Sequence, residues 1–289
     1  MRFNVTIIEG SERNYAHFLF DTAKYIAYGL ESLGHSCSIT QQNIDTSRIN
    51  ILLNAYRADE GAMKLLTSGS IRYVVSQTEL LTPDGGINNL GKAHFETRYL
   101  PLLRGAIRVW DWNDRQVAQL ATFGVQADIL EYGFHPHMEE IRPKVDRDID
   151  LLWFGSSSPH RQAMLDRLLQ RGMKVASTFD SVSFYRNDLI ARAKIILALK
   201  QTPEHTHMPR GRILYPANNR VFVAGERATE QHWTDQLWSS APTDELPDLL
   251  ASLLERTDRN QIADERFEIL RQYPMSGYLA PLIENLPRN

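Results

Sequence analysis

The chain has 289 residues, enough for about two domains. Apolar residues make up 43% and charged residues 23%, a globular balance that excludes a disordered chain. Lys and Arg (32) nearly match Asp and Glu (35), for a net charge of −3, so the basic excess of a dedicated nucleic-acid binder is missing, although a local basic pocket for phosphate fits within that total. The single cysteine, Cys37, rules out an intramolecular disulfide and a cysteine-rich metal site. Met1-Arg2-Phe3-Asn4 runs straight into strand-like residues, with no apolar leader core, and no apolar run approaches the ~20 residues that span a bilayer. A cytoplasmic protein is the expectation; peripheral membrane contact needs no spanning segment and is compatible with it.

Short apolar runs alternate with longer amphipathic ones. Phe3–Ile8 reads as a buried strand, and Asn14–Leu33 as a helix, with Phe18, Tyr25, Ile26, Leu30 and Leu33 at helical spacing and Gly34 as its stop. Strands follow at Ser36–Thr40 and Ile49–Leu53, a helix at Ala62–Leu66, a strand at Ile71–Ser76, a helix at Phe95–Leu103, a strand at Ile107–Trp110, a helix at Arg115–Phe123 and a strand at Ala127–Leu130. The pattern pauses over Gly133–Arg147, which reads as a linker. A second series then begins: strand Asp150–Phe154, helix Arg161–Gln170, strand Lys174–Ala176, helix Ser183–Arg192, strand Ile195–Leu199 and late strand Arg220–Ala224, with helical sequence from Leu246 broken at Asp258 and Pro274. Strands alternating with helices predict βαβ units, so two doubly wound, mostly parallel sheets with a cleft between them. Ligands of such sheets bind beyond the carboxyl ends of the strands.

Neither G-x-G-x-x-G nor G-x-x-x-x-G-K-[ST] follows a strand, and H-E-x-x-H and G-x-S-x-G are absent. The sharpest feature is Gly155-Ser156-Ser157-Ser158-Pro159-His160-Arg161. Small residues after a strand let backbone approach a ligand, and the helix beyond presents N–H groups suited to a diphosphate. Pro159 fits the first helical turn, and Arg161 could add a charge-assisted contact. The same residues also suit a plain strand–turn–helix connection with Ser158 as its N-cap. A second cluster, Lys200, Glu204, His205, His207, Arg210, Arg212 and Glu226, starts where strand Ile195–Leu199 ends. Its cations suit phosphate and Glu226 suits two ribose hydroxyls; the bland alternative is a solvated polar loop. His205-x-His207 lacks acidic partners at metal-site spacing, so no metal is expected. In the first half, His17 is the first candidate for a base, with Glu79 and Asp111 beside it at strand ends; each could instead face a helix or cap one.

The stretch Asp148-Ile149-Asp150-Leu151-Leu152-Trp153-Phe154-Gly155-Ser156, then His160-Arg161, Ala193-Lys194-Ile195-Ile196-Leu197-Ala198-Leu199, Arg212 and Arg220-Val221-Phe222-Val223-Ala224-Gly225-Glu226, resembles the donor domain of bacterial GT-B glycosyltransferases. Asn14-Tyr15-Ala16-His17, Gly29–His35, Gln77-Thr78-Glu79-Leu80 and Val109-Trp110-Asp111 resemble the front half of the same group. Two departures stand out. Pro209 occupies the place of a glutamate three residues before Arg212, and Ala198 and Lys200 replace a strand-end polar pair. Asp148-Ile149-Asp150 looks like the D-x-D that holds a divalent ion in another glycosyltransferase class, but it precedes its strand, whereas a catalytic metal motif follows one.

The resemblance implies an acceptor-side Rossmann-like domain over 1–133, a nucleotide-sugar domain over 134–272, and a C-terminal helix over 273–289 that packs back on the first. It implies metal-independent transfer of a sugar from a nucleoside-diphosphate sugar, which is a substrate, with no cofactor. Gly155, Ser156, Ser157, Arg161, Lys200, Arg210, Arg212 and Glu226 would hold the donor, and His17, Glu79 or Asp111 would activate an acceptor. That acceptor could be a small molecule, a glycan, a protein or DNA. The alternatives are a degenerate relative that binds without transferring, motivated by Pro209, and another two-domain α/β enzyme such as a sugar-nucleotide epimerase.

Overall fold

The computed structural model describes all residues except 11–16, 83–84, 88–89, 209 and 288–289. Asn14, Tyr15, Ala16 and Pro209 therefore lie outside the described residues. The chain divides into two compact units, one of Met1–Tyr132 with Met275–Asn289, the other of Gly133–Pro274.

The first unit runs β1 (Arg2–Ile7), α1 (Phe20–Ser32), β2 (Ser36–Gln41), β3 (Ile49–Leu53), α2 (Glu60–Leu66), β4 (Tyr73–Ser76), α3 (Lys92–His94), α4 (Leu100–Gly105), β5 (Arg108–Asp111), α5 (Asp114–Thr122) and β6 (Ala127–Ile129). Its six strands are all parallel, in the order β2-β1-β3-β4-β5-β6. Every residue of β3 and β4 is buried, as expected of parallel strands covered on both faces. The exception to an apolar interior is a ladder of amides and hydroxyls. Asn4 of β1 donates to Asn50 Oδ1 at 3.0 Å and accepts from Ser38 and Thr40 at 2.9 and 3.0 Å, so three adjacent strands share one satisfied polar layer. Phe95–Tyr99, between α3 and α4, is π-helical, which swings Tyr99 beneath the end of β4.

The second unit runs β7 (Ile149–Phe154), α6 (Pro159–Gln170), β8 (Val175–Thr178), α7 (Ser183–Arg192), β9 (Ala193–Ala198), α8 (Gly211–Asn218), β10 (Val223–Glu226), β11 (Ser239–Ala241), α9 (Leu246–Glu255) and α10 (Arg259–Leu270). Its five parallel strands order as β11-β10-β9-β7-β8. Trp153, Leu168, Ile195, Phe222 and Leu250 lie together in its core. The chain is thus two successive Rossmann-like α/β units.

The last helix, α11 (Met275–Glu284), belongs to the first unit and packs on α1. Gly29 is the point of closest approach: a Cβ there would stand 2.5 Å from Leu279 Cδ1 and 2.9 Å from Met275 Cγ.

Two expectations need correction, and one element was not foreseen. The stretch 133–147 is no loose linker, because Asn218 and Asn219 at the end of α8 pin it: Asn219 Oδ1 accepts from the N–H groups of Glu140 and Ile141 at 2.7 Å, and Asn218 exchanges hydrogen bonds with His135 at 3.2 Å. Helix α8 is not visible in the sequence because Pro216 sits inside it. The late strand begins at Val223 and not at Arg220, whose φ of 53° ends the preceding turn.

Candidate functional site

In an open parallel sheet the ligand crevice forms where two neighbouring strands lead their connections in opposite directions. In the second unit that point lies between β7 and β9. The loops leaving these strands are 155–158 and 199–210, the two sequence clusters already singled out.

Gly155 leaves β7 with φ 151°, outside the range of ordinary side chains. A Cβ on it would fall 2.3 Å from a guanidinium nitrogen of Arg212, so glycine here lets Arg212 lie over the strand end, 4.2 Å from the Trp153 ring centroid. Ser156 is half-buried and Ser157 exposed. Ser158 accepts from Arg161 N as the N-cap of α6, with Pro159 in the first helical position, and donates to Gln201 O at 2.7 Å. One serine thus caps a helix and staples the two loops.

Arg161 is only 2% exposed. Its guanidinium lies 4.8 Å from the Trp153 ring centroid, and its Nε donates to Lys200 O at 3.1 Å, its Nη1 to Ser156 O and Oγ at 3.0 Å, and its Nη2 to Leu199 O at 3.4 Å. A buried guanidinium needs such acceptors. This changes the expected role: Arg161 holds the loops after β7 and β9 from beneath, and its N–H fork is directed at backbone.

Glu226, at the end of β10, is fully buried. Its Oε1 accepts from His160 Nε2 and Thr243 Oγ1, both at 2.7 Å, and its Oε2 from Lys200 N at 2.7 Å. The expected role as acceptor of ribose hydroxyls is corrected in the same sense, since protein donors already occupy both oxygens. One carboxylate ties α6, the exit of β9, β10 and the approach to α9. Gly225 makes this register feasible: its Cβ would overlap Ala198 O at 1.9 Å.

Lys200 is different. It is 8% exposed, and its ammonium makes no hydrogen bond or ion pair among the described residues. An ammonium at a strand exit that no carboxylate of the described residues engages is available to an incoming anion. Arg210 immediately precedes α8 and is half-buried, as is Arg212 within its first turn. His205 Nδ1 lies 2.9 Å from Thr202 Oγ1, its ring 5.7 Å from that of His207; burial, then the nearby Arg161, lower its pKa below the usual histidine value. Among the described residues, no group of three or more His, Cys, Asp and Glu is arranged to hold a metal ion. Asp148 and Asp150 sit at the amino end of β7, ion-paired with Arg192 and Lys194; the Arg192 hydrogen bond holds Asp148 down at about 2.

In the first unit the corresponding point lies between β1 and β3. His17 follows β1, opens a 3₁₀ turn over His17–Leu19, and is half-buried with its ring tilted against Phe20 at 6.2 Å. Asn54, leaving β3 with φ 61°, donates to Ile8 O at 2.7 Å and ties the two strand exits together; no sequence signal had marked it. Glu79 and Asp111 leave β4 and β5, further along the sheet. Asp111 is 1% exposed, and its carboxylate accepts from Asn113 N at 2.9 Å and Gln116 Nε2 at 3.0 Å. Gln116 also donates to Glu79 O at 3.2 Å and accepts from Leu81 N. Asp111 is therefore an anchor for the loop after β4 and not an exposed base. It does not cap α5 either, because Asn113 does, accepting from Gln116 N at 3.1 Å. Tyr99 donates to Gln77 Oε1, and burial, then Asp111, push its phenol well above the usual range. The half-buried Glu79 contributes its carbonyl to this network.

His160 and Thr243 are the members that sequence reasoning left without a role. His160 stood within the quoted motif, while Thr243 is brought in only by the fold. Arg186 is a third: buried, it lies 4.7 Å from the Tyr215 ring centroid and 5.8 Å from that of Phe154.

The fold is that of the GT-B glycosyltransferases. The chain is similar to T4 phage BGT, solved in complex with its UDP-glucose substrate, at 12% identity over all of both chains with a TM-score of 0.60. It is also similar to AviGT4, a glycosyltransferase involved in avilamycin A biosynthesis, at 15% identity over 97% of this chain and 98% of that one, TM-score 0.54. TarM matches at 10% identity over 91% of this chain and 57% of that one, TM-score 0.53. No protein-family model matches the chain, and no curated protein matches it. Among the described residues no helix is long and apolar enough to cross a membrane.

Proposed function

We propose that this chain transfers a sugar from a nucleoside-diphosphate sugar to an acceptor, with the second unit taking the donor and the first the acceptor. The observation that carries the reading is Lys200, a largely buried residue at the exit of β9, where the two loops of the crevice meet, whose ammonium makes no hydrogen bond or ion pair among the described residues. The donor diphosphate lies along Gly155–Ser157, whose small residues admit close backbone approach, and Lys200, Arg210 and Arg212 balance its charge. Arg161 and Glu226 act through the loops they hold. As the sugar–phosphate bond breaks, charge accumulates on the departing diphosphate, and fixed cations in a shielded site stabilise it without rearranging. These cations do the neutralisation that a metal would otherwise do, so the reaction is metal-independent.

His17 takes the proton from the acceptor hydroxyl, because it is the candidate that follows β1 next to the crevice of the first unit. The similarity in fold to T4 phage BGT, whose substrate is UDP-glucose, supports a nucleotide-sugar donor.

The reading is tested by incubating the full chain with UDP-, GDP-, dTDP- and ADP-sugars, with and without EDTA, and measuring release of nucleoside diphosphate. Release from one of these that survives EDTA and is lost in Lys200→Met is the expected result. Conversion of the donor to an isomer without release would point to an epimerase. Binding without release or slow hydrolysis would leave a binding protein.

A further inference from the structure

An open cavity of about 390 Å³ lies in the second unit on the side of the sheet opposite Lys200, where β7 begins. Arg147, Lys194, Arg259 and Asn260 line it, with Asp146 and Asp148. Its volume falls in the range of small-molecule sites.

The charges around it are unevenly matched. Asp148 is engaged by Arg192, and Lys194 by Asp150 at 2.7 Å. Arg147 and Arg259 have only neutral acceptors. Arg147 donates to Lys144 O at 3.2 Å and Asn260 Oδ1 at 2.9 Å. Arg259, the first residue of α10, donates to Leu253 O at 2.8 Å, Leu254 O at 2.7 Å and Arg256 O. Neither guanidinium makes an ion pair with a carboxylate among the described residues. Burial, then the neighbouring Arg259, lower the pKa of Arg147; burial lowers that of Arg259, against the nearby charges of Asp258 and Asp150. Two partly desolvated guanidiniums facing one cavity, with an amide between them, form a fork suited to a tetrahedral oxyanion.

We propose that this cavity is a second anion site, separate from the donor crevice, which binds a phosphate-bearing small molecule between Arg147 and Arg259, with Lys194 and the Asn260 amide beside it. The remaining volume accommodates a group attached to the phosphate. The proposal does not depend on the donor reading, because it uses neither Lys200 nor the loops of that crevice.

The test is calorimetric titration of the full chain carrying Lys200→Met, which weakens anion binding in the other crevice, with inorganic phosphate and, separately, with a nucleoside monophosphate. Saturable binding is expected, weakened about tenfold or more by Arg147→Gln and less by Arg147→Lys, which keeps the charge and loses the fork. Arg259→Gln should act like Arg147→Gln. If it unfolds the unit by freeing the carbonyls of α9, Arg147→Gln alone decides. Equal affinity for the two ligands assigns free phosphate, and tighter monophosphate binding assigns the rest of the cavity to the attached group. No saturable binding of either ligand, or binding that Arg147→Gln leaves unchanged, would overturn the proposal.

Discussion

The two units solve the same topological problem with different chemistry. In the second, buried ionised groups brace the strand exits: Arg161 grips four backbone and hydroxyl oxygens, and Glu226 gathers three donors from three segments. In the first, amides and a phenol do most of the work: Asn54 joins the exits of β1 and β3, and Gln77, Tyr99 and Gln116 fasten those of β4 and β5, with Asp111 as the charged member. The charges that brace the second unit are met by hydrogen bonds to neutral groups, and Lys200, whose backbone joins both braces, is held at a fixed place.

The comparison breaks first at Glu226. Glu226→Ala leaves His160, Thr243 and Lys200 N without their acceptor and should cost about 3–5 kcal/mol, measured by denaturant unfolding. A loss below 1 kcal/mol would mean that the carboxylate is no brace. Asp111→Asn in the first unit should cost less, about 1–3 kcal/mol, because one acceptor oxygen survives for Asn113 N while the Gln116 hydrogen bond is lost. If Asp111→Asn cost more than Glu226→Ala, the contrast between the units would be wrong.

Gly29 tests how the first unit receives the last helix. Gly29→Ile presses a branched side chain against Met275 and Leu279 and should destabilise by about 1–3 kcal/mol in thermal unfolding. The effect should shrink, without vanishing, in a chain that also carries Leu279→Ala, because Met275 Cγ still stands 2.9 Å from the added Cβ.

Much of this organisation was legible in the sequence. Ile49–Leu53 and Ser183–Arg192 coincide with β3 and α7, since a short run interrupted only by Asn50 and a helical period name their elements locally. Helix α8 was hidden by Pro216, and β11 by having only three residues. The loops at the exits of β7 and β9 were legible as loops too, because small residues after a strand carry a local meaning. The roles within them were not. Arg161 reaches acceptors 38 and 39 positions away and His160 reaches a carboxylate 66 positions away, so burial and pairing are set by the fold. Arg161 and Glu226 read as ligand contacts when taken residue by residue, and as braces once their partners are known. The same holds for Asp111, whose strand-end position suggested a base and whose burial makes it an anchor.

The smallest expected effect is one of pH. The His205 pKa is lowered in the folded chain, so between the unfolded value near 6.5 and the folded value the unfolded chain binds more protons. Its contribution to stability is therefore complete above about pH 6.5 and declines as the pH falls below it. Thermal midpoints from pH 7.5 to 5 should fall slightly less for His205→Gln than for the unaltered chain. An equal or steeper fall in the variant would assign the dependence elsewhere.

The central claim is that Lys200 waits for a donor diphosphate, and it is tested most directly by titrating the unaltered chain and Lys200→Met with UDP, GDP, dTDP and ADP in EDTA. One diphosphate should bind the unaltered chain and bind Lys200→Met at least about tenfold more weakly, a loss of about 1.4 kcal/mol. The variant itself should be about as stable as the unaltered chain, because the ammonium makes no hydrogen bond or ion pair among the described residues for the substitution to break. Unchanged diphosphate affinity in a folded Lys200→Met chain would contradict the account.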